Sequence, residues 1–198
     1  ILTVCNQLKI IHTVLANENM NGENVFHQTA RRHFKGGLFF SLLRILKNEK
    51  EILKTLLVRR EQNGYNPFAI AVLHHQFNKL KAILVICNEL EIIPTVLANQ
   101  NMNGDNVLHQ TAGRYFENHM FILLLNLLKN ETKILKTLLI EKDRDGDNPF
   151  TIAVWHRQFN KLIAILAICN ELKIIHLVVA NENINGENAL HQIAGKDF

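Results

Sequence analysis

The sequence is poor in the residues on which disulfide-rich, membrane and nucleic-acid-binding proteins depend. Its 198 residues include three cysteines, three prolines and one tryptophan. The longest apolar run, Leu162 to Cys169, is far below the roughly 20 residues needed to span a bilayer. No basic-then-apolar signal segment opens the chain. The 22 Lys and Arg residues are dispersed, whereas nucleic-acid binding normally calls for a concentrated basic stripe. We therefore predict a soluble protein with no membrane and no nucleic-acid partner.

The three cysteines, Cys5, Cys87 and Cys169, are evenly spaced along the chain and lie in apolar contexts such as AILVICNEL. This pattern is typical of small buried hydrophobes. Equivalent positions two stacked units apart are separated by about 20 Å, whereas a disulfide needs Cα atoms within about 7 Å. Disulfides and a shared metal are excluded on this interpretation. Free thiols suit a reducing compartment, so we expect a cytoplasmic location.

Motifs for catalysis and for cofactor binding are also missing. The chain has no glycine-rich phosphate loop, nucleophile elbow, H-E-x-x-H or paired-cysteine zinc pattern. The adjacent pair His74 and His75 does not share a helix face, so we interpret these residues as exposed histidines at a helix end. We predict no enzyme activity, no catalytic residue, no metal, no cofactor and no small-molecule ligand.

Internal repetition is the main feature that is present. When Asn19 is aligned with Asn101, the chain matches itself without a gap, and more than half of the positions from Asn19 to Ala82 recur identically. Each copy contains two related units. One has the sequence motif NVFHQTA and is called the histidine type, and the other has the motif NPFAIAV and is called the proline type. Their turn glycines recur at two slightly different intervals that alternate: Gly22, Gly64, Gly104, Gly146 and Gly186. Such regular spacing indicates a repeat array.

These glycines divide the chain into four full units and two partial ones. The full units span residues 22–63, 64–103, 104–145 and 146–185, and the partial units span 1–21 and 186–198. Solenoids need polar capping units at both ends, and the terminal segments look like interior ones. We therefore expect residues 1–198 to be a single array taken from a longer protein.

Each unit has the local signals of a turn followed by helices. Asn-Gly or Asp-Gly supplies a tight turn, and two residues after each glycine comes an asparagine, a preferred helix N-cap. Pro67 and Pro149 follow it at the first helical position, where proline loses no hydrogen bond. A second, more apolar helix such as KLKAILVIC comes next. Segments such as EILKTLLV then return the chain to the next turn, so the pattern predicts an all-α solenoid.

The words G-x-N-V-L-H-Q-T-A and G-x-N-P-F-x-I-A resemble the ankyrin repeat, whose pattern is G-x-T-P-L-H-x-A. Gly104, Val107, Leu108, His109 and Ala112 occupy that pattern. The period of about 41 residues exceeds the roughly 33 of the family, so we expect a lengthened second helix or an added helical turn before the linker. Pro94 would break a helix passing through it. A HEAT-like helical solenoid is the alternative.

The resemblance implies that His27, His109 and His191 are scaffold residues that hydrogen-bond within and between repeats. It also implies a concave groove, lined by hairpin tips and inner helices, that holds a protein partner. Positions near these elements where the internal copies differ are the candidate partner-binding residues, because packing does not hold them constant. Trp155, the only tryptophan, is of a type enriched in binding hot spots. The candidates are Arg31, His33, Arg59, Arg60, Gln62, Tyr65, Arg114, Tyr115, Glu141, Lys142, Arg144, Asp147 and Trp155.

We therefore expect a non-enzymatic module that binds a protein partner. Its richness in Asn, Ile and Lys, together with long near-identical repeats, is similar to ankyrin-repeat effectors of intracellular bacteria, including male-killing factors of insect endosymbionts. That similarity implies a host protein as the partner and the host cytoplasm or nucleus as the location. The alternative is an array that presents substrate to a catalytic domain outside this sequence.

Overall fold

The structure, a computed structural model, describes residues 15, 17–31, 36–113 and 115–195. These residues form thirteen helices and no strand, which confirms the all-α class for the described part of the chain. The chain divides into two compact parts, Ile1–Asn99 and Gln100–Phe198. Each part contains more than one repeat, and from here on the first unit and the second unit mean these two parts.

The helices of each unit follow the two repeat types in order. The first unit contains α1 (Val25–Ala30), α2 (Gly36–Ile45) and α3 (Lys50–Val58) of the histidine type, then α4 (Pro67–Leu73), α5 (Phe77–Glu89) and α6 (Ile93–Leu97) of the proline type. The second unit repeats them as α7 (Val107–Ala112), α8 (Asn118–Leu128), α9 (Thr132–Ile140), α10 (Pro149–Trp155), α11 (Phe159–Glu171) and α12 (Ile175–Val179), followed by α13 (Ala189–Ala194).

The residues that lengthen the period form a separate third helix in each repeat. The return segments expected to lead to the next turn are therefore helical themselves: α3 and α9 have nine residues each, and α6 has five. The second helix is not lengthened through this region, because Glu91 takes a left-handed conformation (φ 58°) after α5. Pro94 lies in the first turn of α6, where its missing N–H removes no helical hydrogen bond. Pro94 therefore lies at the start of a helix and not in the middle of one.

The core of each repeat lies between its first helix and the two that follow. Phe26 of α1 is fully buried, and its ring meets that of Phe39 edge-on with the centroids 5.6 Å apart. Burying one such side chain stabilises the fold by about 1.5–3 kcal/mol. Cys87 and Cys169 are also buried, as predicted, and burial raises the pKa of both thiols to about 12. Cys5 lies outside the described residues.

The first helices of the two repeat types end differently. The proline-type helix α4 ends in a left-handed residue, His75 (φ 55°), and the N–H groups of His75 and Gln76 donate to the carbonyls of Val72 and Ala71. This Schellman turn satisfies the last carbonyls of the helix locally. Arg157 has the same conformation (φ 55°) after α10.

The histidine-type helices α1 and α7 are instead completed by a lysine from the following proline-type repeat. Lys79 Nζ donates to the carbonyls of Thr29 and Arg31 at 2.9 Å each, and Lys161 Nζ donates to the carbonyl of Gly113. The two lysines are only 3% and 0% exposed, and burial lowers the pKa of Lys161 to about 8. A cation near the C-terminus of a helix is favourable. Because the lysine and the helix belong to successive repeats, this contact also joins the two repeat types.

Candidate functional site

Each repeat begins with a turn that is closed by the side chain of its first residue. In the turn 101–105, Asn101 Oδ1 accepts hydrogen bonds from the N–H groups of Asn103 and Asp105 at 2.8 and 2.9 Å. The equivalent bonds close the other four turns, whose first residues are Asn19, Glu61, Asp143 and Asn183. The turns therefore have one shape although their sequences differ.

Successive turns within a unit are joined by a backbone hydrogen bond. The N–H groups of Gln62, Arg144 and Ile184 donate to a carbonyl of the preceding turn at 2.9 Å. The approach is close enough that a Cβ on Gly146 would lie 2.9 Å from Cα of Asn183. Gly146 also has a φ of 81°, so both its conformation and its contact require glycine.

An asparagine holds the first and third helices of each full repeat together. Asn106 Oδ1 caps α7 by accepting from the N–H groups of Leu108 and His109 at 2.9 and 3.2 Å. Its Nδ2 donates to the carbonyl of Leu138 in α9 at 2.9 Å. The equivalent residues make the same pair of contacts, each with its Nδ2 bond at 2.8 Å: Asn24, Asn66 and Asn148. This confirms the predicted caps and gives them a second role.

Two of the repeated histidines, His27 and His109, hydrogen-bond within their own repeat and to the following turn, whereas the side chain of the exposed His191 contacts its own cap, Asn188. His27 Nδ1 accepts from the N–H of Asn24 at 3.2 Å, and Nε2 lies 3.0 Å from the carbonyl of Tyr65 in the next turn. His109 makes the same contacts to Asn106 and Asp147 at 3.2 and 3.1 Å. Burial lowers the pKa of His27, and it lowers that of His109 to about 4. The neutral ring, with Nε2–H as donor, fits both contacts.

These elements enclose a groove of about 630 Å³ in the second unit. One wall is the helix α10, from which Ile152, Trp155 and His156 project at the i, i+3, i+4 spacing of one helix face. Ile184, from the turn 183–187, adds a second apolar side chain. Trp155 is 53% exposed and Ile184 is 71% exposed. The groove therefore presents apolar surface to solvent.

The rim of this groove is acidic. Asp143, Asp145, Asp147 and Glu187 line it, and among the described residues that line it there is no Lys or Arg. Partial burial raises the pKa of Asp143, which accepts two backbone hydrogen bonds within its own turn. The aligned turn of the first unit, EQNGY, has one carboxylate where DRDGD has three. The negative charge is thus specific to the second copy of the proline-type repeat.

A buried amide oxygen without a partner lies at the inner side of the groove. Gln192 of α13 is 4% exposed and lines the groove. Its Nε2 donates to Asp147 Oδ1 at 3.3 Å, but its Oε1 is buried with no hydrogen-bond partner among the described residues. The aligned Gln110 Oε1 is also buried without a partner among the described residues, so the unpaired oxygen recurs at this repeat position and is not particular to the groove.

Three candidate residues of the first unit contact other residues of that unit. Arg31 Nε donates to Glu23 Oε1 at 3.1 Å, Arg59 lies 2.5 Å from a carboxylate oxygen of Glu18, and Gln62 Nε2 donates to the carbonyl of Met20 at 2.6 Å. Although burial opposes it, hydrogen bonds from Arg31 and Asn19 hold the pKa of Glu23 below its usual value. The remaining candidates of this unit are the half-buried Tyr65, the exposed Arg60, and His33, which lies outside the described residues.

The second unit brings two candidates together, Asp147 and Trp155, both of which line the groove. Glu141 accepts from Asn106 Nδ2 at 3.0 Å, and Lys142 Nζ donates to the carbonyl of Glu182 at 2.8 Å. The other candidates are Arg144, which is exposed in a turn, Tyr115, which is 93% exposed, and Arg114, which lies outside the described residues.

Comparison of the internal copies missed groove residues that do not differ between copies. Ile152 aligns with Ile70, and Gln192 aligns with Gln28 and Gln110. The spacing of Ile152 and Trp155 on one helix was the available signal.

Among the described residues, no helix combines the length and the apolar character needed to cross a bilayer. The same residues contain no group of three or more His, Cys, Asp or Glu placed to hold a metal ion. No protein-family model matches the chain, and a search of curated proteins finds no match.

Proposed function

We propose that this chain is an ankyrin-like helical array that binds a protein partner, and that the groove of the second unit is part of its binding surface. The observation that carries the proposal is the half-exposed Trp155 beside Ile152 and Ile184 in a groove whose walls are held by recurring hydrogen bonds. Covering such side chains is favourable, and tryptophan is among the residues that contribute most to interfaces.

Hydrogen bonds between neighbouring elements fix the walls of the groove, which supports a binding role. His109 links α7 to the turn 143–147, and Asn148 links α10 to α12. A surface that is ordered before it meets its partner loses less conformational entropy on binding.

The repeated histidines support a non-enzymatic role. Both ring nitrogens of His27 and of His109 contact backbone groups, so neither ring has a nitrogen available for substrate. The composition supports a host protein as the partner, and the buried thiols of Cys87 and Cys169 suit a reducing compartment.

Site-specific photo-crosslinking tests this proposal. A benzoylphenylalanine in place of Trp155 is compared, in candidate host lysate, with one in place of Phe159, which is 59% exposed and does not line the groove. We expect discrete protein adducts from position 155 that wild-type protein suppresses by competition. Identical adducts from both positions, or none from position 155, would contradict the proposal.

A further inference from the structure

We infer that the groove of the second unit recognises a basic segment of its protein partner, in which arginine or lysine side chains alternate with aliphatic ones. The inference rests on the proposed function and specifies the chemistry of the partner. Its basis is the combination of an acidic rim and an exposed apolar wall in one groove.

The rim sets the charge of the occupant. Three aspartates and Glu187 line the groove, and the part of the chain that the structure describes contributes no Lys or Arg to it. An acidic peptide or a nucleic acid entering it would meet like charge, whereas a cationic segment is attracted and oriented. Arg144 belongs to the same turn and is exposed, but it does not line the groove.

The wall sets the character of the remaining side chains. Trp155 presents an indole to the groove beside Ile152 and Ile184. The face of an indole attracts a cation that lies over it, while the two isoleucines suit aliphatic contacts. A segment that is basic but has no aliphatic side chains would use only half of this surface.

Gln192 adds a polar acceptor to the groove lining, although the aligned Gln110 has the same unpaired oxygen outside the groove. Its Oε1 is buried at the groove and unpaired, while its Nε2 is already bonded to Asp147. An N–H group from a guanidinium, an ammonium or a peptide backbone would satisfy this oxygen.

The first unit contains an aligned copy of the same turn and helix, and the residues of that copy supply substitutions that this turn and helix can accommodate. Asp145 aligns with Asn63 and Trp155 aligns with Leu73. The substitutions Asp145→Asn and Trp155→Leu therefore replace two groove residues with those at the aligned positions of the first unit. Asp143 is left intact because its carboxylate closes the turn.

The test measures binding of fluorescein-labelled peptides to the full chain by fluorescence anisotropy. The probes are a peptide of alternating arginine and leucine, the same peptide with glutamate for arginine, and the same peptide with glycine for leucine. We expect saturable binding of the first, no binding of the second and weaker binding of the third. Affinity for the first should fall about tenfold between about 0.05 and about 0.5 M salt.

The variants separate the groove from the rest of the surface. Asp145→Asn should weaken binding about threefold, and Trp155→Leu about thirtyfold. A control that removes a charge and an aromatic ring outside the groove, Glu131→Gln with Phe159→Leu, should bind like wild type. Circular dichroism confirms that each variant is folded.

Equal binding of the glutamate peptide, or equal loss in the control variant, would overturn the inference. Discrete adducts at position 155 without binding of the arginine–leucine peptide would overturn the inference alone and leave the proposed function standing. Absence of both the adducts and the peptide binding would overturn the inference and the proposed function together.

Discussion

Replacing Asn106 with serine measures how much stability comes from the link between the first and third helices of a repeat. Asn106 is fully buried, caps α7 through Oδ1 and donates through Nδ2 to the carbonyl of Leu138 and to Glu141. Serine is as good a cap as asparagine, but it has no amide to reach α9. The substitution therefore removes the link and keeps the cap.

The expected loss follows from the group that is left behind. The carbonyl of Leu138 loses its side-chain partner in a buried site, which costs about 1–3 kcal/mol. Asn106→Ala, which also removes the cap, should cost about 1 kcal/mol more. Asn188 is a matched control, since it caps α13 with the same two bonds but contacts no third helix among the described residues. Asn188→Ser should change stability by less than about 0.5 kcal/mol.

The assay is urea unfolding of the full chain followed by far-UV circular dichroism. We expect a lower midpoint for Asn106→Ser with an unchanged dependence on urea, as for a change in stability alone. Hydrogen exchange should show lost protection at the amides of α9. If Asn106→Ser is as mild as Asn188→Ser, the link between α7 and α9 does not stabilise the repeat and this reasoning is refuted.

Four further changes test other features by the same unfolding assay. Gly146→Ala should destabilise more than Gly186→Ala, because both glycines have positive φ but only a Cβ at Gly146 meets neighbouring backbone; equal losses would show that the close approach of the turns relaxes freely. Lys161→Met should cost about 1.5–3 kcal/mol by removing a charged donor from the carbonyl of Gly113, against almost no change for the exposed Lys133→Met; a neutral Lys161→Met would show that this carbonyl needs no partner. Lys173→Gly should stabilise by about 1 kcal/mol, since Lys173 has a φ of 58°; destabilisation would show that its side chain matters more than this strain. The pKa of His109 is about 4 in the fold and about 6.5 when unfolded, so the unfolded state takes up the proton first as the pH falls. The contribution of neutral His109 to the free energy of unfolding, about 3 kcal/mol, is therefore lost between pH 6.5 and pH 4. His109→Gln should lose less stability than wild type over that range, and equal losses would refute this assignment.

The helix starts and their caps could be predicted because they depend on local chemistry. A glycine with positive φ, an asparagine two residues later and a proline at the first helical position each act within one turn of the chain. The positions of Asn106 and Pro149 were therefore sufficient to place the starts of α7 and α10. The second bond of Asn106, to Leu138, joins positions far apart in the sequence, and no local pattern indicates it.

The third helices and the groove could be predicted only in part. The apolar segment EILKTLLV indicated packing, but its separation from the second helix depends on a turn at Leu46, which carries no proline or glycine. Divergence between copies identified Asp147 and Trp155 and missed Ile152, because a wall residue that also packs on its neighbours stays the same in each copy. Several divergent charges, Arg31 and Arg59 among them, form ion pairs inside their own unit.

The lysine that completes the histidine-type helix has a consequence for how such a chain can grow or shrink. A proline-type repeat ends its own first helix, whereas a histidine-type repeat depends on Lys79 or Lys161 from the repeat that follows. Recombination between near-identical copies that removes or adds one histidine-type and one proline-type repeat together preserves this dependence, since the sequence recurs with that pair as its period. The loss of a proline-type repeat would place two histidine-type repeats side by side and deprive a helix of its cation, and the loss of a histidine-type repeat would leave the following lysine without its carbonyl partners. The inherited element is therefore the pair of repeats, and the length of such an array should vary among close relatives in steps of two.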